Sequence, residues 1–241
     1  MTEIEENYLL DKKVKIFQPK GFYHASSDAV WLAAALKKVK KGDNILDVGS
    51  GGGAISLCLG ERFKNSEITI TGIEIQSLLA ETANKSALAN KFDFIKFENA
   101  NIFECKFTPC SFSHVVTNPP YAEKDMPSPN ESKAAAHNFQ FEGLKSWIEF
   151  CIKMLKPKGR FYMINRAEAL ENIITAISGK LGNIEIYPLY SKEGQPAKRV
   201  IVTAQKDSKA PMILHEGIVV HNKNGDYSEK ANDVLRKGLA I

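Results

Sequence analysis

Apolar residues recur along this chain in two rhythms. Short runs rich in β-branched and aromatic residues, Ile45 to Val48, Ile68 to Ile75, Phe94 to Phe97 and Ser113 to Thr117, predict strands. Between and beyond them Ala and Leu return at helical spacing over Ala54 to Phe63, Ser77 to Asn90 and Phe139 to Leu155, which predict helices. Ahead of this series Val14 to Phe17 predicts a short edge strand, Ser27 can cap a helix carrying Ala29 to Val39, and Lys40 to Asp43 turns the chain. Behind it Lys158-Gly159 opens a strand running through Ile164, and Glu168 to Gly179 predicts a further helix. Ile184 to Leu189 and Lys198 to Ala204 predict two strands whose short connection, Ser191 to Ala197, favours an antiparallel pair. A strand at Ile213 to Val220 and a helix at Ser228 to Lys237 close the chain. Alternation of this kind predicts an α/β sandwich on a mostly parallel sheet. No repeat or linker divides it, so residues 1–241 are expected to form a single domain with an N-terminal lead (about 1–43) and a C-terminal strand-helix extension (about 210–241).

Composition narrows the setting without naming a function. Hydrophobic residues make up 44% of 241, enough for one substantial core. The four cysteines, Cys58, Cys105, Cys110 and Cys151, lack paired spacing, and the N-terminus lacks the pattern of a secretory signal, so a reducing cytoplasm is the expected compartment. No apolar run is long enough for a membrane helix, and no membrane association is expected. A net charge of +4 permits an acidic partner but does not identify one. Lys153, Lys156, Lys158, Arg160 and Arg166 follow one another with no acidic residue between, and Lys192, Lys198 and Arg199 come later. They read either as a solvated surface or as a phosphate-facing patch, and the fold decides between the two.

Two sites in the pattern carry chemistry. Asp47-Val48-Gly49-Ser50-Gly51-Gly52-Gly53 joins a predicted strand to a predicted helix, and its missing side chains allow close approach of a nucleotide-like ligand. A glycine-rich turn made for geometry alone is the alternative. Glu74 ends the next strand, which would bring its two acceptor oxygens beside the loop, within reach of ribose hydroxyls, with Ile75 counted in the same pocket. The glycines are not spaced as G-x-G-x-x-G, nor is there a G-x-x-x-x-G-K-[ST] loop, so a ligand with a ribose and an amino-acid part but no phosphate fits better. Asp47 could hold the ammonium of such a ligand directly or through water, or could orient the loop. Asn101, beyond the third strand of the series, could contact an adenine edge or serve as a turn residue, and Asn99 has similar chemistry.

The second site is Asn118-Pro119-Pro120-Tyr121, directly after a strand that the prolines must end. The side-chain carbonyl of Asn118 can accept one hydrogen of an exocyclic amine while the carbonyl of Pro119 accepts the other, and Tyr121 can stack on the planar acceptor. Two such bonds favour lone-pair character on the nitrogen as positive charge develops, and neither a general base nor a metal is required. A proline-bounded turn with a core tyrosine is the alternative.

These residues resemble the class I S-adenosylmethionine-dependent methyltransferases, and the tetrapeptide resembles their amino-methylating members. The resemblance implies a seven-stranded sheet with a reversed last strand and S-adenosyl-L-methionine as cofactor. It assigns Asp47, Gly49, Ser50, Gly51, Gly53, Glu74, Ile75, Asn101 and Asn118 to donor binding, and Asn118, Pro119, Pro120 and Tyr121 to catalysis. Asn101 stands where many relatives use aspartate. Gln18-Pro19-Lys20-Gly21, the run Ser27 to Ala34, His137 after Ala134-Ala135-Ala136, Trp147-Ile148, Lys198 to Val202 and Leu214-His215-Glu216 extend the likeness over nearly the whole chain. In these the chain is similar to the bacterial tRNA1(Val) adenine-37 N6-methyltransferase family. That family implies methylation of an anticodon-loop adenine of a valine tRNA, tRNA as partner, and a monomer as the working expectation.

Protein glutamine N5-methyltransferases acting on release factors use the same tetrapeptide but usually carry a sizeable helical domain ahead of the catalytic one, whereas this chain reaches Gly49 after one predicted helix. DNA adenine methyltransferases commonly need a recognition insertion for which there is little space. An inactive RNA-binding protein on the same fold is a third alternative. Residues 122–138, rich in Pro, Ser and Asn, are expected to form a mobile acceptor-side loop, and Lys153, Lys156, Lys158, Arg160, Lys198 and Arg199 to contribute unevenly to RNA binding.

Overall fold

The computed structural model describes residues 2–22, 24–104, 107–120 and 141–241, with the backbone alone at 141 and 142. Tyr121, the loop 122–138 and His137 within it lie outside the described residues.

The predicted alternation is realised as β3 (Asn44–Val48), α2 (Ala54–Phe63), β4 (Thr69–Glu74), α3 (Ser77–Ala89), β5 (Ile95–Asn99), β6 (Phe112–Thr117), α4 (Phe141–Met154) and β7 (Leu155–Arg166). A single 3₁₀ turn leads into α5 (Leu170–Ile177), and β8 (Leu181–Lys192) and β9 (Ala197–Lys206) form the expected antiparallel pair. The sheet runs β5-β4-β3-β6-β7-β9-β8, all parallel except β9, which is antiparallel to both of its neighbours. The last of these seven strands is thus the reversed one, as the resemblance implies.

Alternation along each strand divides the core into two layers. Ile45, Val116, Tyr162 and Ile164 pack against α1 (Ser27–Ala35), α2 and α3, while Leu46, Val48, Val115, Phe161 and Met163 pack beneath α4 and α5. Full burial of side chains such as Leu46, Ile45 and Phe161 contributes about 1.5 to 3 kcal/mol each. Every residue of α1 from Asp28 to Ala35 is buried, as expected of a helix that is apolar all round.

Three of the departures from the sequence reading have a visible physical origin or change the outline of the fold. The lead holds not one strand but a hairpin, β1 (Ile4–Leu9) with β2 (Val14–Pro19), outside the main sheet. It is fixed to α3 by a reciprocal pair of bonds between the Asn90 amide and the Lys15 backbone, 2.9 and 2.6 Å, and by Ser86 Oγ accepting from Phe17 N at 2.9 Å. Helix α1 ends at Ala35, short of Val39, because the Arg62 guanidinium from α2 donates to the carbonyls of Ala33 and Leu36 and satisfies its open end. The tail strand is split into β10 (Ile213–Leu214) and β11 (Ile218–His221), both parallel to β8, so the sheet has nine strands among the described residues. Gly217 causes the break: its φ is +91°, and a Cβ there would lie 2.8 Å from the Pro188 carbonyl. The tail ends in α6 (Glu229–Asn232), capped by Ser228 Oγ, and a π-turn over Asp233–Lys237.

Candidate active site

In an open parallel sheet a ligand crevice forms where strand order reverses, at the carboxyl ends of the strands. Here β3 is that point, flanked by β4 on one side and β6 on the other, with Val48 level with both Ile73 and Thr117. The glycine loop, Glu74 and Asn118 leave these three strand ends side by side.

The loop is tied down from beneath. Ser50 N donates to the Ile73 carbonyl at 2.9 Å, and Gly53 N to the Ser50 carbonyl at 2.9 Å. Gly53 has φ +84°, and a Cβ there would lie 2.6 Å from the Phe97 ring, so both conformation and packing demand glycine. Around Gly51 a Cβ would meet nothing within 4 Å, so this side of the loop is open.

Glu74 locks loop and strand together. Its Oε2 accepts from Gly51 N at 2.8 Å and its Oε1 from Gln76 N at 2.9 Å, which ties the carboxylate to the loop on one side and to the turn after β4 on the other while leaving each oxygen a lone pair. Burial pushes its carboxyl pKa up against these two donors. Asp47 is fully buried, and its Oδ2 accepts from Ser56 Oγ at 2.7 Å. Burial, with the nearby charge of Glu74 adding to it, pushes the Asp47 pKa up to about 7. Asp47 Oδ1 and Ser50 Oγ are buried without a hydrogen-bond partner. An unpaired polar atom in such a place costs about 1 to 3 kcal/mol, so both mark where a bound group would be held. Two acidic side chains facing one glycine loop would repel a phosphate and suit a ligand bearing hydroxyls and an ammonium group. The residues present therefore fit the donor named by the resemblance.

Ile75 follows Glu74 and is 61% exposed. The turn that carries it is fixed by Asn99, whose Nδ2 donates to the carbonyls of Glu74 and Ile75 at 2.9 and 2.8 Å. Asn101 uses its Oδ1 to accept from Phe103 N at 3.0 Å, the turn role its residue type allowed. Asn118 and Pro120 are half-buried and Pro119 is buried.

Trp147 has a part in the site that spacing gave no hint of. Its indole N–H donates to Thr117 Oγ1 at 2.8 Å, Thr117 Oγ1 donates to the Val48 carbonyl at 2.8 Å, and a Cβ on Gly49 would lie 2.7 Å from the indole ring. One side chain of α4 thus joins the glycine loop to the strand end that carries Asn118. Its only sequence signal was the Trp147-Ile148 pair of the family likeness.

The basic residues divide between the two edges of the sheet. Arg166 and Arg199 face each other in register at the carboxyl edge, where Arg199 Nε donates to Asp28 Oδ2 at 2.9 Å. Lys156, Lys158 and Arg160 begin β7 and gather at the opposite, amino edge. Among the described residues no three or more His, Cys, Asp or Glu stand together as a metal site, and no helix is long and apolar enough to cross a membrane.

The sequence profile of a methyltransferase-domain family matches residues 39–211, which include the loop, Glu74 and Asn118. The chain belongs to this family. Among similar proteins, the tRNA1(Val) (adenine(37)-N6)-methyltransferase of Pedobacter heparinus is 28% identical over 226 residues, spanning 93% of this chain and 94% of the relative. The protein of the same name from Haemophilus influenzae (strain PittEE) is 26% identical over 222 residues, 90% and 92% of the two chains. Of solved structures, a predicted O-methyltransferase from Agrobacterium tumefaciens shares the fold with a TM-score of 0.73 at 22% identity, covering 89% of this methyltransferase and 98% of that chain. A T. thermophilus 16S rRNA methyltransferase in complex with AdoMet and guanosine has a TM-score of 0.58 at 14% identity, covering 85% and 50%.

Proposed function

We propose that this methyltransferase uses S-adenosyl-L-methionine to methylate N6 of an adenine in the anticodon loop of tRNA, position 37 of a valine tRNA being the target. The observation that carries the reading is the convergence at one switch point of Glu74, the open glycine loop and Asn118-Pro119-Pro120. The acceptor is supported by relatives of that name aligned over 93% and 90% of the chain.

When bound, the donor supplies an electrophilic methyl group on a sulfonium. Glu74 is assigned to its ribose hydroxyls, Asp47 to its ammonium, Ser50 with the backbone at Gly49, Gly51 and Gly53 to its amino-acid part, and Ile75 and Asn101 to its adenine. On the acceptor side the Asn118 side-chain carbonyl and the Pro119 carbonyl would each accept one N–H of the exocyclic amine, leaving its lone pair free to act as the nucleophile. Pro120 fixes the path of the chain, and Tyr121 stacks on the base. Bonds to both hydrogens strengthen as the nitrogen gains positive charge, so they favour the transition state over bound substrate. The methylated, cationic nitrogen would then release one proton to solvent water. A base in a loop leaves its stack at less cost than one in a duplex, which suits an anticodon-loop target. A cytoplasmic, monomeric enzyme completes the proposal.

Purified protein given the donor and a panel of unmodified tRNAs, release factor and duplex DNA should form N6-methyladenine in valine tRNA, mapped by nucleoside and fragment mass spectrometry. Methylation confined to a release-factor glutamine, with every tRNA untouched, would overturn the acceptor.

A further inference from the structure

A deep cleft lies away from the candidate active site. It opens at the amino edge of the sheet, between the loop after α1 and the start of β7, and encloses about 510 Å³. Such a volume accepts a nucleotide-sized group. Along β6, His114 lines this cleft while Asn118 follows the strand's other end, about 13 Å away at the rise of an extended chain.

Two basic runs far apart in sequence meet here. Lys37, Lys38 and Lys40 come from the loop after α1, and Lys156, Lys158 and Arg160 from the start of β7. Among the described residues only two carboxylates, Asp43 and Glu185, line the same cleft, so the excess of four positive charges there equals the net charge of the chain. Both carboxylates are already engaged. Asp43 Oδ2 accepts from Lys40 N at 2.7 Å and lies 3.2 Å from His114 Nε2. Glu185 Oε1 accepts from Arg160 Nη2 at 2.8 Å, and its Oε2 accepts from the Tyr187 hydroxyl at 2.5 Å and lies 3.1 Å from His215 Nε2. Arg160 is held further by Thr203 Oγ1 at 3.0 Å, and Lys37 Nζ donates to the Tyr187 hydroxyl at 3.0 Å. The floor is therefore a fixed polar network and the rim is lysine. No carboxylate among the described residues pairs with any of the five lysines.

Fold stability gives no reason to crowd like charges into a concavity, where low-dielectric walls strengthen their field. An anion there relieves the repulsion. Planar carboxylates are best met by a free arginine fork, but the arginine lining the cleft is already engaged, and ammonium groups acting as point charges suit the tetrahedral oxygens of phosphate. We propose that this cleft is a phosphate-ester site. The phosphate can come from the backbone of a bound RNA, which rests on the function proposed above, or from a free nucleotide, which does not.

Lys38 and Lys156 lie on the rim, away from the active-site machinery and without a side-chain partner among the described residues, so Lys38→Gln with Lys156→Gln tests the cleft without disturbing donor binding. Titration calorimetry with inorganic pyrophosphate should show saturable binding to the full chain, weakened about tenfold or more in the double variant because each lost charge-assisted contact is worth at least that factor. In parallel, valine tRNA binding is measured against salt. A slope reduced by about two in the double variant assigns the phosphate to RNA, whether or not free pyrophosphate binds. Pyrophosphate binding that is lost in the variant while the tRNA slope holds assigns the site to a free phosphate ester, and stands even if tRNA is not methylated. An unchanged slope together with pyrophosphate binding that is absent, or equal in both proteins, overturns the site.

Discussion

Asp47 makes the protein's stability depend on pH in an unusual direction. Its folded pKa of about 7 lies above the ordinary value of 3.8, so the folded chain holds a proton that the unfolded chain releases. Stabilisation from that proton is fully present only below the unfolded value and falls as pH rises through the folded one. Linkage with these two values gives a loss of about 1.4 kcal/mol between pH 6 and pH 8, about 3 to 6 °C in Tm for a domain of this size. The cause is physical: Oδ1 is buried without a partner, and ionisation places a full charge beside it that Ser56 alone opposes. Thermal and urea unfolding of the protein without ligand, from pH 6 to pH 8, should show this decline, and Asp47→Asn should lose its share of the slope. A donor whose ammonium pairs with ionised Asp47 must displace the proton, so its affinity should fall up to tenfold for each pH unit below about 7. Equal pH slopes for wild type and Asp47→Asn would refute the burial argument. An affinity independent of pH would refute the ammonium contact.

Three further outcomes are expected. Glu74→Ala should weaken S-adenosylmethionine binding by about ten- to a hundredfold in calorimetry, at about 1.5 to 3 kcal/mol for a charge-assisted contact, and affinity unchanged in a folded variant would remove Glu74 from the pocket. Asn118→Ala should lower kcat by about 10²-fold or more, the loss typical of one oriented transition-state contact, and far more than it weakens donor binding, so equal losses in donor binding and kcat would contradict its acceptor role. Gly217→Ala should destabilise the chain by about 1 to 3 kcal/mol in urea unfolding, because its φ of +91° is strained for any Cβ and the Pro188 carbonyl lies in the way; a neutral effect would show that the tail turn yields freely.

What could be read from the sequence followed local physics. The parallel strands were legible because both faces are buried and each is bounded by turn residues, and the ends of β3, β4 and β6 brought Gly49, Glu74 and Asn118 together as the switch-point rule requires. The rest depended on partners remote in sequence. β1 carries Glu5, Glu6 and Asn7 on a half-exposed ribbon, with no apolar alternation to reveal it. The end of α1 is set by Arg62, 26 residues from the carbonyl of Leu36 that it caps. The basic run from Lys153 to Arg166 reads as one patch, but the extended strand β7 carries Lys156 and Arg166 to opposite edges of the sheet. Trp147 is an ordinary core aromatic on its helix until Thr117 and Gly49 are placed beside it.

The position of β9 also bears on how the chain is made. It is the last of the seven strands to leave the ribosome, yet it lies inside the sheet between β7 and β8. β8 therefore has no lasting place until β9 emerges, and the two must dock on β7 as a hairpin or not at all. By then β3, β4, β6 and Trp147 have all been synthesised, so the ligand crevice can form on a nascent chain whose far edge is still open. A stop codon shortly before Ala197 would leave β7 with a bare edge of unpaired amides, a template for association with other chains. The final fifth of the protein then acts as a seal on a sheet whose chemistry is already assembled.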